Sequence, residues 1–161
     1  MSTTDGTSSK HSASSTPPIP GPVRDLDTRT AIHDLVVAFY REIVFDDLLG
    51  PVFEEVAETD WGVHIPRLID YWCQILLGER AYRGALLAAH REVHHRDPFR
   101  DEHFDRWLAL WVVSIDARWR GPKADHAKRH AAATAGLISR RLRGIDQHCQ
   151  PVDPIQPAIA R

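Results

Sequence analysis

Apolar side chains in this chain recur at steps of three and four and nowhere alternate over a useful length, so helices are the elements it can build. Ile32, Leu35, Val36, Phe39, Tyr40 and Ile43 fall on one stripe of a helix. Asp27, Thr28 or Thr30 can accept from its first free amides. Asp46-Asp47 and then Gly50-Pro51 stop it. A second helix starts at Asp60, a good N-cap, and carries Ile65, Leu68, Ile69, Trp72, Ile75 and Leu76 to Gly78. Pro66 must sit in its early turns, where a missing amide costs least, or it bends the helix. A short third helix holds Leu86 to His90. A fourth carries Phe104, Trp107, Leu108, Trp111 and Ile115 and stops at Gly121-Pro122. An alanine-rich fifth runs from about Ala124 to Leu142. Five helical segments with short connections and no strand pattern specify an all-α domain. Helices that cross at steep angles leave a cavity that a flat ligand can fill.

The flanks differ in composition. Residues 1 to 25 are rich in Ser, Thr, Gly and Pro and end in Pro17-Pro18-Ile19-Pro20-Gly21-Pro22, too polar to offset chain entropy, and read as a disordered tail. Residues 144 to 161 carry three prolines and no period and read as a second tail, leaving 26 to 143 as the domain. The net charge of -2 gives no reason to expect nucleic acid or an anionic membrane as partner. No apolar run reaches membrane-spanning length and no leader pattern stands at the N-terminus, so the cytoplasm is the expected compartment. Cys73 and Cys149 are too few and too far apart for a disulfide framework, and Cys73 falls among apolar helix positions as a buried thiol.

Ten histidines are many for 161 residues. His90 closes the small, apolar stretch Tyr82-Arg83-Gly84-Ala85-Leu86-Leu87-Ala88-Ala89. A histidine there either meets the dipole at a helix C-terminus or carries a bare imidazole nitrogen into an apolar cavity. Three polar side chains from other segments point to the second reading. Tyr40 lies beside Phe39 on an apolar face, and its hydroxyl needs a partner if buried. His64 stands one turn before Leu68, a position that also suits a surface histidine. Trp107 has the period of a core residue, yet its indole N–H needs an acceptor if buried. Phe53, in an expected loop, suits an aromatic packed on a planar ligand. One imidazole ligand and three hydrogen-bonding side chains in apolar surroundings suit a buried iron cofactor with one face open to a gas.

Other histidine pairs offer a rival. His90 and His94 have the one-turn spacing of a zinc pair, His95 follows, and His126 and His130 repeat the spacing on a helix rich in Lys and Arg, where a solvated face is the simpler reading. The order in His90-Arg91-Glu92-Val93-His94 does not fit the metalloprotease signature. A second rival is a cofactor-free interaction module that uses the basic run Ser139-Arg140-Arg141-Leu142-Arg143, although such a run at a helix end also serves the dipole.

Together, Phe39-Tyr40, Asp46-x-Leu48-Leu49-Gly50-Pro51-Val52-Phe53, Asp60-Trp61-x-x-His64, Tyr71-Trp72-x-x-x-Leu76-x-Gly78, Tyr82-x-Gly84 with His90, and Phe104-x-x-Trp107-Leu108 resemble the truncated globins, most closely their third group. The resemblance covers roughly residues 28 to 142. It implies a two-over-two helical sandwich around haem b. It implies His90 as the proximal iron ligand and Tyr40, His64 and Trp107 as distal residues that steady the gas. Leu68 is then the apolar distal neighbour, Phe53 the aromatic packed on the haem, and Trp72 part of the pocket wall. The early proline of the second helix and the lack of paired glycines favour the third group. Arg67, Arg91, His94 and His95 are candidates for the haem propionates. The implied ligands are O2, NO and CO. The implied chemistry is redox work on the bound ligand, NO dioxygenation or peroxide reduction with an unidentified reductase; a sensor or store is the alternative to an enzyme.

Overall fold

The computed structural model describes residues 24–144. The tail assignments for residues 1–23 and 145–161, and Cys149, lie outside the described residues. Helix α1 is Arg29–Val44, α2 Trp61–Leu77, α3 Leu86–Arg96, α4 Asp101–Arg118 and α5 Pro122–Leu142, with a π-helical turn at Val52–Val56 between α1 and α2. Among the described residues the only extended pairing is a single bridge between Arg24 and Trp119. Helix α1 packs on α2 and α4, α4 packs on α5, and α5 also meets α2 and α3. This is the all-α, two-over-two arrangement.

The helix starts follow capping chemistry. Of the three candidate caps for α1, Thr28 does the work, its Oγ1 accepting from the Ala31 amide at 3.1 Å. Asp60 Oδ1 accepts from Gly62 and Val63 at the start of α2. Helix α2 ends at Gly78, whose φ of 75° lies in the left-handed region that glycine enters without strain. Pro66 is the sixth residue of α2, past the first turn, so the Gly62 carbonyl loses its ladder donor. Helix α4 starts at Asp101, a turn before its apolar period. The Arg100 amide donates to His103 Nδ1 at 3.0 Å, and that holds the start closed.

Three features depart from the sequence reading. Helix α3 does not end at His90 but continues to Arg96, because Arg91–Arg96 are polar yet helix-compatible. Phe53 sits not in a loop but in the π-helical turn, closed by the Ala57 amide on the Val52 carbonyl at 2.9 Å. Arg24 and Asp25, assigned to the tail, are built into the fold. The Arg24 carbonyl accepts from Arg120 at 3.0 Å, and the Asp25 carboxylate accepts from the Lys123 and Ala124 amides at 3.0 and 2.8 Å, capping α5 from 98 and 99 residues away.

The core is aromatic at its centre. Trp72 stacks on Trp111 at 4.5 Å, Trp111 stacks on Trp107 at 5.6 Å, and Phe39 meets Trp111 edge-on at 4.9 Å. Leu26, Ile32, Leu35, Val36, Ile43 and Ile115 close around them. Asp46, buried at the end of α1, ties the corner. Its Oδ1 accepts from the Leu48 and Leu49 amides and its Oδ2 pairs with Arg106 of α4 at 2.7 Å. That pair fixes the π-helical turn against α4, one residue from Trp107.

Candidate functional site

A cavity of about 450 Å³ opens between α1, the π-helical turn, α2, α3 and the facing sides of α4 and α5. All seven side chains expected at a site line it: Tyr40, Phe53, His64, Leu68, Trp72, His90 and Trp107. They come from five different elements, so the fold itself gathers them.

His90 sits in the second turn of α3. Its Nδ1 lies 2.8 Å from the Leu86 carbonyl one turn back, so Nδ1–H donates and Nε2 carries the free lone pair. Burial lowers its pKa against the opposing pull of that bond. A neutral imidazole with its back nitrogen tied is the form that binds a metal. The helix-dipole alternative falls away, since His90 is not at a helix end.

His64 stands in the first turn of α2, its amide bonded to the Asp60 carbonyl at 2.8 Å. It is no surface histidine: Nε2 is buried without a hydrogen-bond partner. Burial, with the charges of Arg67 and His90, pushes its pKa down to about 4. A buried polar atom left unpaired costs roughly 1–3 kcal/mol, so this nitrogen marks where a polar group of a ligand would be welcome.

Tyr40 is buried within a ring of aromatics, edge-on to Phe53 at 5.7 Å and to His64 at 5.4 Å. Burial raises its phenol pKa, and the Trp107 side chain, within hydrogen-bonding reach of the hydroxyl, opposes the rise. Phe53 stacks on Trp61 at 5.7 Å, and the Trp61 indole donates to Glu54 at 2.9 Å.

Of the four cations proposed for an anionic edge, only Arg67 lines the cavity. Arg91 and His95 are exposed, turned away from His90 by about 100° and 140° around α3. His94 accepts the Phe99 amide on Nδ1 at 3.0 Å, which commits it to closing the end of α3. The solvated-face reading holds for His126 and fails for His130, which is half-buried against Tyr71 and Trp72. Among the described residues, no three His, Cys, Asp or Glu side chains converge to hold a metal, so the zinc rival has no assembled site. The basic run is also engaged inside the fold: Ser139 and Arg143 both bond Asp101 at the start of α4. No helix among the described residues is long and apolar enough to cross a membrane.

Sequence reasoning gave no role to Tyr71, His103 or Arg96, which also line the cavity, or to Trp61, which packs on Tyr40, Phe53 and His64. Tyr71 and Trp61 stood in the motifs, and their aromatic character was the available signal. His103 and Arg96 gave none, since each is identified only by a contact made after folding.

No family model matches the chain. Among curated proteins it is similar to the group 3 truncated haemoglobin ctb of Campylobacter jejuni, 33% identical over 89 residues that make up 53% of this chain and 68% of the relative. The chain belongs to the group 3 truncated haemoglobins. The crystal structure of the group III truncated haemoglobin from Campylobacter jejuni superposes on this truncated haemoglobin with a TM-score of 0.66 at 26% identity, covering 75% of this chain and 95% of that one. Membership implies haem binding and diatomic gases as ligands. The cavity of this truncated haemoglobin fits a haem on its own chemistry. Its volume lies within the ~300–1,000 Å³ of small-ligand sites, and its wall is largely apolar and aromatic. It presents His90 with Nδ1 tied and Nε2 open to a metal, and elsewhere on the wall the unpartnered His64 nitrogen and the Tyr40 hydroxyl.

Proposed function

We propose that this protein holds haem b through His90 Nε2 and uses Tyr40, Trp107 and His64 to steady and polarise a diatomic ligand for redox chemistry, either NO dioxygenation or peroxide reduction, rather than for bulk O2 carriage. Haem in such a site supplies an iron atom that takes up O2, NO or CO and exchanges single electrons. The observation that carries the reading is the pairing of a back-tied His90 with an orphaned His64 nitrogen on the wall of one cavity.

The chain's own groups divide the work. The Leu86 carbonyl holds the His90 proton on Nδ1 and so raises the basicity of Nε2. Tyr40 keeps its phenolic proton, because burial disfavours the phenolate, and so stays a donor at all working pH. The Trp107 indole is a second donor and cannot accept. His64, neutral above pH about 4, offers a lone pair or an N–H according to tautomer. Phe53, Leu68 and Trp72 exclude water from the volume these donors face, which strengthens each hydrogen bond. A buried phenol donor, its oxygen met by the Trp107 indole, favours long residence of a polarised ligand, which suits turnover better than carriage. A reductase returns electrons between cycles, and exposed groups around the cavity, Arg67 among them, are available to its docking and to the haem propionates.

The test is direct. Purified protein, reduced with dithionite and then exposed to CO, gives a Soret band typical of histidine-ligated haem. Its ferrous O2 form consumes NO stoichiometrically with formation of nitrate, or its ferric form consumes hydrogen peroxide in the presence of a donor. A preparation that binds haem but does neither at rates above free haem refutes the redox reading and leaves a gas store or sensor.

A further inference from the structure

The chain has three tyrosines, and all three line the cavity. They differ in what meets the phenolic oxygen. Tyr40 has the Trp107 indole, which can only donate. Tyr82 packs its ring edge-on to Tyr71 at 5.2 Å. Tyr71 alone among them has an imidazole nitrogen at its hydroxyl, His130 Nε2 at 2.6 Å, a short bond that joins α2 to α5. Thr134 Oγ1 lies 3.3 Å from the same nitrogen, and Trp72 lies edge-on to the His130 ring at 5.7 Å. One turn back on α5, the exposed His126 ring stands 6.2 Å from His130. A half-buried phenol on the cavity wall is thus connected through one base to the protein surface.

This arrangement has a specific chemical use. A phenol loses an electron at an accessible potential only if its proton leaves at the same time. In a dry wall, a hydrogen-bonded base is what makes that loss possible. Burial raises the Tyr71 pKa, so the hydroxyl holds its proton at rest. Burial and the neighbouring His126 lower that of His130, so the ring is neutral at rest, and in the tautomer with its proton on Nδ1 it accepts from Tyr71 at Nε2.

We propose that Tyr71 is a redox-active tyrosine that carries oxidising equivalents from the cavity to small one-electron donors at the α5 surface, with His130 as its proton acceptor. This rests on the peroxide-reduction reading above. The oxidant is hydrogen peroxide, and the donors are small phenols or ascorbate-like reductants. In each oxidation Tyr71 gives up one electron, and its O–H proton moves to His130 Nε2, leaving a neutral phenoxyl beside an imidazolium. A donor then returns one electron to the phenoxyl, and the proton returns along the same bond. Two such cycles supply the two electrons for reduction of one hydrogen peroxide to two waters. The two protons required come from the two donors, which leave as radicals.

Freeze-quench EPR on the haem-loaded ferric protein mixed with hydrogen peroxide tests this, with guaiacol oxidation measured in parallel and the Soret band followed to show that peroxide has reacted. The wild type gives a tyrosyl signal. Tyr71→Phe loses that signal and slows guaiacol oxidation by about tenfold. His130→Phe also lowers the tyrosyl yield, although Tyr71 remains. An equal tyrosyl signal in Tyr71→Phe, or no radical in wild type whose Soret band has responded, overturns the proposal. A Soret band indifferent to peroxide overturns the peroxide reading alone. The tyrosine is then judged by flash oxidation with tris(bipyridine)ruthenium and persulfate. A radical that depends on both Tyr71 and His130, and forms more slowly in D2O, supports the proposal; one that depends on neither overturns it.

Discussion

Tyr40→Phe removes one oxygen atom from the cavity wall and little else. The ring keeps its edge contacts with Phe39 at 4.9 Å, Phe53 and His64. The hydroxyl is buried, and its partner within reach is the Trp107 indole, itself a donor. The hydroxyl proton is therefore not committed to an acceptor and is free for a ligand. A hydrogen bond to an acceptor with charge is worth about 1.5–3 kcal/mol. At 1.4 kcal/mol per factor of ten, its loss speeds O2 release by roughly 10- to 150-fold. Trp107→Phe acts in the same direction, and because the two side chains touch, the double variant departs from the sum by at least about 0.5 kcal/mol. Stopped-flow displacement of O2 by excess CO reads all four rates. The CO off-rate is the internal control, since CO carries far less negative charge. A Tyr40→Phe rate within twofold of wild type, with the fold intact by circular dichroism, removes Tyr40 from ligand stabilisation, and with it the idea that a buried, uncommitted donor marks where the ligand sits.

Three further outcomes follow from the charges. His64 is neutral when folded down to pH about 4 but protonates near 6.5 when unfolded, so below pH 6.5 the unfolded chain binds the extra proton and stability falls as pH drops toward 4. Discounted for the partial exposure of the ring, the difference between wild type and His64→Leu in haem-free protein changes by about 1–2 kcal/mol across that window, read as the pH dependence of urea midpoints. Burial pushes the Asp46 carboxyl up, but the Arg106 hydrogen bond and the Leu49 and Leu48 amides outweigh it and hold it below the usual range. Its contribution is therefore present above pH about 4 and lost as acid titrates the folded form. Asp46→Ala costs about 2–4 kcal/mol at neutral pH, less at pH 3, by thermal unfolding. Asp25→Ala frees the Lys123 and Ala124 amides at the start of α5 and costs about 1–2 kcal/mol with little effect on gas binding.

The helices were legible because a period of 3.6 is written in single side chains: Ile32 to Ile43 announces α1 before any contact exists. The gathering of Tyr40, Phe53, His64, Leu68, Trp72, His90 and Trp107 around one cavity came from family resemblance, since spacing gave each of them an ordinary alternative. What spacing could not give was long-range. Asp25 reads as tail because the amides it caps lie 98 and 99 residues on. His130 reads as solvated face because Tyr71, 59 positions earlier, is what covers it. The extension of α3 past His90 was hidden because the apolar run stops there while helix propensity does not. The π-helical turn at Phe53 rests on i to i+5 hydrogen bonding, as of the Ala57 amide on the Val52 carbonyl, a choice the side chains do not signal.

The proposed haem site stands or falls with the imidazole of His90, tied at Nδ1 by Leu86 and offered to iron through Nε2. His90→Gly, purified with haem and examined as the reduced CO complex with and without added imidazole, tests it most directly. The expected result is loss of the histidine-type spectrum and of most retained haem, both restored by millimolar imidazole. A variant that keeps wild-type haem content and an unaltered reduced spectrum without imidazole contradicts it.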